Sequence, residues 1–252
     1  MTLPTPCLHR VHVTNPTGAL AIHHSLGMSI AYDKLIDRLK QLNHHLAQIG
    51  ASTRSQLITF DDGWADVMCL APHFKYLSYL KPVLFLTSAQ CMGNQRLLPL
   101  PRLYEWLGAK GTTLDSAADS PICRSMLKLL PEGDQHIELD QLGVMNIGPS
   151  SQILSSGQVR ELIDRGWLVG SHCADHHDLR QANEQSLMSN LQEALTTVQS
   201  INGVPWLAWP EGRCTQTMCE MAASVGFELQ FSLYVESGSI QRADLIHREI
   251  WK

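Results

Sequence analysis

The stretch Gln56-Leu57-Ile58-Thr59-Phe60-Asp61-Asp62-Gly63 sets a short apolar run hard against two carboxylates and a glycine. A run of that length, closed by a turn dipeptide, predicts a buried strand over 56–60 that ends in a polar loop. The pattern recurs outward from it. Pro82–Thr87 (PVLFLT), Trp167–Gly170, Val204–Trp209, Glu228–Leu233 and Leu245–Ile250 are predicted strands, and Ala19–His23 (ALAIH) is predicted as the first of the series. Between them lie amphipathic stretches. Ala31–Ile49 carries Leu35, Leu39, Leu42, Leu46 and Ile49 on one face, with Gly50 as C-cap. Ala65–Leu80 is predicted helical despite Pro72. Ser155-Ser156-Gly157-Gln158 is a capping box opening a helix to Arg165, and Glu184–Ile201 and Thr215–Val225 follow, the last capped by Gly226.

Strands alternating with helices imply parallel pairing through helical crossovers, hence an α/β layer or barrel. Active sites of such folds lie at the C-terminal ends of the strands. From about 93 to 150 the rhythm breaks around Pro99, Pro101, Pro121, Pro131 and Pro149. We read this as a long insertion, partly helical, on one face of a single domain spanning 1–252.

The 252 residues carry 19 Lys and Arg against 24 Asp and Glu, a net charge of −5 with no basic run, which argues against nucleic-acid binding. No window approaches about 18 consecutive apolar residues, so no membrane span is expected. The opening MTLPTPCLHRVHV lacks the pattern of a signal peptide, and the seven scattered cysteines suit a reducing compartment, so a cytoplasmic location is expected. Histidine is abundant at twelve residues, several in adjacent pairs such as His23-His24 and His176-His177. The sequence carries no reading of oligomeric state.

Chemistry concentrates after three of the predicted strands. Asp61 and Asp62 are adjacent carboxylates that need a cation or hydrogen-bond donors to coexist at a strand end. Asp-Gly is equally a common turn dipeptide. His172 and His176 stand in a His-x3-His spacing that suits two ligands of one metal, or a polar loop rich in histidine. Together Asp, His and His would leave coordination positions open, as catalytic rather than structural sites do. Pro210-Glu211-Gly212 follows the third strand. Trp64 and Trp209 are candidates for stacking on a sugar, with Trp206 a weaker one.

Three motifs carry a family resemblance. Thr59-Phe60-Asp61-Asp62-Gly63, His172-Cys173-Ala174-Asp175-His176-His177-Asp178-Leu179 and Leu207-Ala208-Trp209-Pro210-Glu211-Gly212 resemble, in order, the motifs of the NodB-homology polysaccharide deacetylases (carbohydrate esterase family 4). The resemblance runs from about Ala19 to Ile250 and implies a distorted (β/α)7-type barrel. It implies a divalent metal, Zn²⁺ or else Co²⁺ or Ni²⁺, held by Asp62, His172 and His176, with Asp61 as catalytic base. It implies a carbohydrate substrate bearing N-acetyl groups and an oxyanion contact at Pro210–Gly212. Cys173 replaces the usual hydroxyl residue, and Glu211 the usual aromatic. Leu245-Ile246-His247 resembles a motif whose His is the general acid. The overlapping Ile246-His247-Arg248-Glu249-Ile250 also resembles the L-P-R-I ending of a branch without that His. His24 corresponds to a histidine after the first strand of that branch. Other readings remain: a deformylase or amidase using the same residues, a catalytically inactive carbohydrate-binding relative, and a hydrolase using Cys173.

Overall fold

The computed structural model describes residues 4–49, 55–111, 127–144, 150 and 152–252. Gly50, Pro121 and Pro149 lie outside them. Strand β1 (Thr5–Leu8) enters the centre of the molecule, and β2 (Arg10–His12) follows it directly. Helix α1 (Gly18–Ser25), β3 (Ser29–Ala31) and helix α2 (Tyr32–Gln48) lead to β4 (Gln56–Phe60) and β5 (Leu80–Leu86). Helices α3 (Pro99–Ala109) and α4 (Glu132–Gln141) occupy the region of the expected insertion. Then α5 (Ser156–Asp164), β6 (Leu168–Ser171), α6 (Glu184–Ser200), β7 (Trp206–Ala208), α7 (Gln216–Val225), β8 (Leu229–Leu233) and β9 (Leu245–Ile250) restore the alternation.

Seven of the strands close into a parallel barrel in the order β1-β4-β5-β6-β7-β8-β9, with β9 returning to β1. Strands β2 and β3 form a separate parallel pair. Side chains alternate across the barrel wall. Val83, Phe85, Ala208 and Phe231 fill its interior. Leu84, Leu86, Val169 and Leu207 face outward into the main core with the helices. The Ser155 capping box forms as expected, with the Gln158 backbone N–H 3.3 Å from Ser155 Oγ and the Ser155 N–H 2.9 Å from Gln158 Oε1.

Two expectations are corrected. Ala19–His23 is helix, not strand: its buried residues Ala19, Ile22 and His23 fall at the three- and four-residue steps of a helical stripe. A five-residue apolar run is too short for periodicity to separate the two states. The true first strand, Thr5–Leu8, was obscured by Pro4 and Pro6. Ala65–Leu80 is not one helix. A 3-10 turn over Ala65–Leu70 gives way to a single helical turn, Ala71–Phe74, with Pro72 in its first turn, where proline's missing N–H is tolerated and the ladder behind it cannot continue. Elsewhere the expected elements stand with boundaries moved by one or two residues, and Ile49, expected on the buried face of α2, is exposed.

A second, smaller core lies apart from the barrel. Ala19 and Ile22 of α1 pack on Leu100, Leu103, Tyr104 and Leu107 of α3 and on Leu139 of α4. The crossing is close: a Cβ on Gly108 would lie 2.4 Å from the Ala19 nitrogen, so only glycine fits there. Arg102, fully buried, donates to Asp140 and to the Val144 carbonyl and ties α3 to α4. We call this α1–α3–α4 unit the cap.

Candidate active site

Polar residues that follow β1, β4, β6 and β7 meet at one mouth of the barrel, and Arg248 joins them from within β9. Asp61 and Asp62 leave β4 in sequence, yet they point to different partners because Asp62 takes a left-handed conformation, φ 68°. Cys173 and Glu211, in the other two motifs, share that conformation at φ 66° and 57°. Non-glycine residues rarely tolerate it, and such strain concentrates where a site must aim its groups.

Asp62 Oδ1 lies 3.5 Å from His172 Nε2 and 3.4 Å from His176 Nε2. Those contacts are too long for hydrogen bonds, and among the described residues this buried oxygen has no donor. Ligand atoms of the three residues lie within 4.8 Å of one another. A metal about 2.0–2.1 Å from each of two roughly tetrahedral ligands would set them about 3.4 Å apart. His172 Nδ1 donates to the Ala208 carbonyl at 2.7 Å, which leaves the Nε2 lone pair directed at the same point. The donor set therefore fits a divalent cation. Burial works against the Asp62 charge, but the facing His172 and His176 hold its carboxyl far below the usual carboxylate range.

Asp61 sits beside this group in a different environment. Arg248 grips it through two bonds, Nη1 to Oδ1 at 2.7 Å and Nη2 to Oδ2 at 2.8 Å, and both residues are buried. Cys7 Sγ donates to Oδ2 at 3.4 Å. Burial opposes the charge, and the guanidinium more than offsets it, so Asp61 is held below the usual carboxylate range. His9, the residue after the first barrel strand, clusters with Cys7 and Asp61 within 4.8 Å.

The cap closes over this mouth. A cavity of about 60 Å³ lies between Asp62, His176 and Glu211 on the barrel side and residues including His23, Leu98, Tyr104 and Lys128 on the cap side. Backbone and side-chain bonds fasten the cap to the second motif: Asp178 N–H to the Lys128 carbonyl at 2.8 Å, and His176 N–H to Glu132 Oε2 at 3.1 Å. Lys128 also pairs with Glu211.

The polysaccharide deacetylase family model matches residues 113–230, a little under half of the chain, including the second and third motifs. Over those residues the chain is similar to the polysaccharide deacetylases. No curated protein matches it in sequence. In fold it is similar to a Streptococcus pyogenes deacetylase solved with acetate, at 14% identity over 100% of this chain and 93% of that one, TM-score 0.57. It is likewise similar to a de-N-acetylase of Aggregatibacter actinomycetemcomitans, 17% identical over 97% and 93%, TM-score 0.57. A third is IcaB of Ammonifex degensii, 15% identical over 99% and 92%, TM-score 0.55.

Against the motifs of the polysaccharide deacetylases, several sequence expectations need correction. His247 does not reach the mouth. It neighbours Arg248, whose side chain points inward, so strand alternation turns His247 outward, where it meets Ser232 Oγ and the Ile240 carbonyl, each at 2.9 Å. His24 does not follow a barrel strand; it lies exposed on α1 against Ser29, and His9 holds the place expected of it. Trp64 and Trp209 are 1% and 0% exposed, so neither offers a face to a sugar. Trp209 instead donates to Gln230 in the wall, and Trp206 packs inside the barrel. Glu211 does line the cavity, its charge met by Lys128 from the cap. Burial pushes the Cys173 thiol well above its ordinary range, which removes it as a nucleophile. Arg248 and His9 were missed as site residues. The Arg248 signal lay in the Ile246–Ile250 segment, whereas His9 became visible only once β1 was placed.

Proposed function

We propose that the chain is a metal-dependent hydrolase that removes N-acetyl groups from a carbohydrate. The observation that carries this reading is the juxtaposition of two unlike carboxylates: Asp62, whose Oδ1 faces two imidazoles and has no hydrogen-bond donor among the described residues, and Asp61, locked to Arg248. The relation to the polysaccharide deacetylases and the acetate in the Streptococcus pyogenes structure support the substrate class.

Asp62, His172 and His176 would hold the cation. A bound divalent ion would lower the pKa of a water and polarise an amide carbonyl. Asp61 is the base that takes a proton from the attacking water, and Arg248 keeps it ionised and oriented for that task. The hydrogen bond to Ala208 fixes the His172 tautomer. The backbone N–H of Glu211, strained into the cavity wall, is assigned to the developing oxyanion. His9, beside Asp61, is assigned to protonate the leaving amine. One water is consumed, and a free amino sugar and acetate are released.

The test is release of acid from a panel of N-acetylated and N-formylated sugars by the purified protein and by Asp61→Asn. Acetate release is expected from the native chain, with the variant slower by about 10²–10⁴-fold at unchanged metal content. Release of formate only would move the reading to a deformylase, and full activity in the variant would remove Asp61 as base.

A further inference from the structure

The proposed reaction leaves one buried side chain at the cavity without a task. His23, on helix α1 of the cap, is fully buried and lines the same cavity as Asp62, His176 and Glu211. Its Nδ1 lies 2.9 Å from the Ala19 carbonyl one turn back on its own helix. A carbonyl only accepts, so Nδ1 carries the proton and Nε2 presents a bare lone pair. Among the described residues no donor reaches that Nε2. Trp64 and Tyr104 clamp the ring edge-to-face, each with centroids 5.1 Å away.

The walls of the cavity do not supply the missing donor. Asp62 and Glu211 are acceptors. The Lys128 ammonium is engaged by Glu211, and Gln135 Nε2 donates to the Leu130 carbonyl at 2.8 Å. Burial also pushes His23 down to about 4, so the ring stays neutral and accepting at physiological pH. A buried acceptor left open in a ligand cavity can be matched by a donor that arrives with the ligand in place of water. An acyl group entering beside the metal-binding residues brings one such donor if it is an amide and none if it is an ester.

We propose that His23 Nε2 accepts the substrate's amide N–H and makes this site selective for N-acyl over O-acyl groups. This inference rests on the deacetylase reading. An ester would set an oxygen lone pair against the imidazole lone pair, and sites built to hydrogen-bond a group reject analogues that lack it.

The experiment has two arms. In the first, kcat/KM is measured for N-acetylglucosamine oligomers and for an O-acetyl ester with the full chain, His23→Phe and His23→Gln. The Phe variant is expected to lose about 10- to 100-fold on the amide and little on the ester. The Gln variant, whose Oε1 can accept, is expected to recover most of the amide rate. Equal losses on both substrates, or no loss on either, would overturn the proposal. In the second arm, the unsubstituted chain carrying ¹⁵N-labelled histidine is titrated with acetamide and with methyl acetate. The His23 Nε2 resonance should move with acetamide alone, and its failure to move would overturn the proposal. This arm needs no turnover, so it decides the His23 assignment even if no sugar is deacetylated.

Discussion

The barrel mouth and the cap contribute to one cavity but are built on different physical terms. At the mouth, Asp61, Asp62, His9 and His172 stand just past the end of a hydrogen-bonded strand, and Arg248 lies within one, so their positions follow from register. Cys7 sits opposite Thr59, and Ser171 opposite Leu207, and the functional groups emerge within five residues of these pairs. The cap has no such register with the barrel. Its own small core holds α1 to α3, and a handful of bonds to residues 176–178 and 211 fix it over the mouth. The lesson is a division of labour: the strands place the polar groups of the mouth, and a docked helical unit decides the shape and the hydrogen-bonding character of the space around them.

The strongest way to break the mouth without the cap is Asp62→Ala. It removes the one oxygen that faces both imidazoles, and we expect loss of bound metal and about 10³-fold or more in turnover. Elemental analysis of the purified variant checks it, and full metal occupancy would contradict the ligand assignment. Next comes Arg248→Met, which leaves Asp61 buried without its counter-ion and should cost about 3–5 kcal/mol in urea unfolding.

On the cap side the effects are smaller. His23 has a folded pKa of about 4 against an ordinary 6.5. The unfolded chain therefore takes up this proton first as pH falls. The contribution is fully favourable above about pH 6.5 and is lost progressively down to about 4, on the order of 3 kcal/mol in all. His23→Phe should flatten that part of the stability–pH curve, and an unchanged slope would count against a buried neutral imidazole. The mildest change is Gly108→Ala, which crowds the α1–α3 crossing and should cost about 1–3 kcal/mol. Amide exchange should quicken in α1 and α3 while β5 and β6 stay protected. Uniform quickening would mean that the cap and the barrel unfold as one unit.

Legibility in the sequence followed the same line. Asp61, Asp62, His172 and His176 stood out because each lies next to a strand whose apolar run is itself visible. His247 was misassigned because spacing alone cannot tell which of two adjacent residues points inward; Arg248 is the inward one. His9 was hidden because the prolines around β1 suppress the strand signal. The roles of His23, Lys128 and Gly108 arise from contacts between segments distant in the chain, and nothing in their local sequence encodes that docking.

The Arg248–Asp61 clamp joins residues 187 positions apart. During synthesis Asp61 is made early, while its guanidinium partner emerges only with the last strand of the ring. Until β9 seats against β1, Asp61 has no counter-ion and the ring is open along that seam. A nascent chain can thus display its aspartates and histidines before Asp61 is oriented, and the arrangement of the mouth is complete only once the last strand has seated.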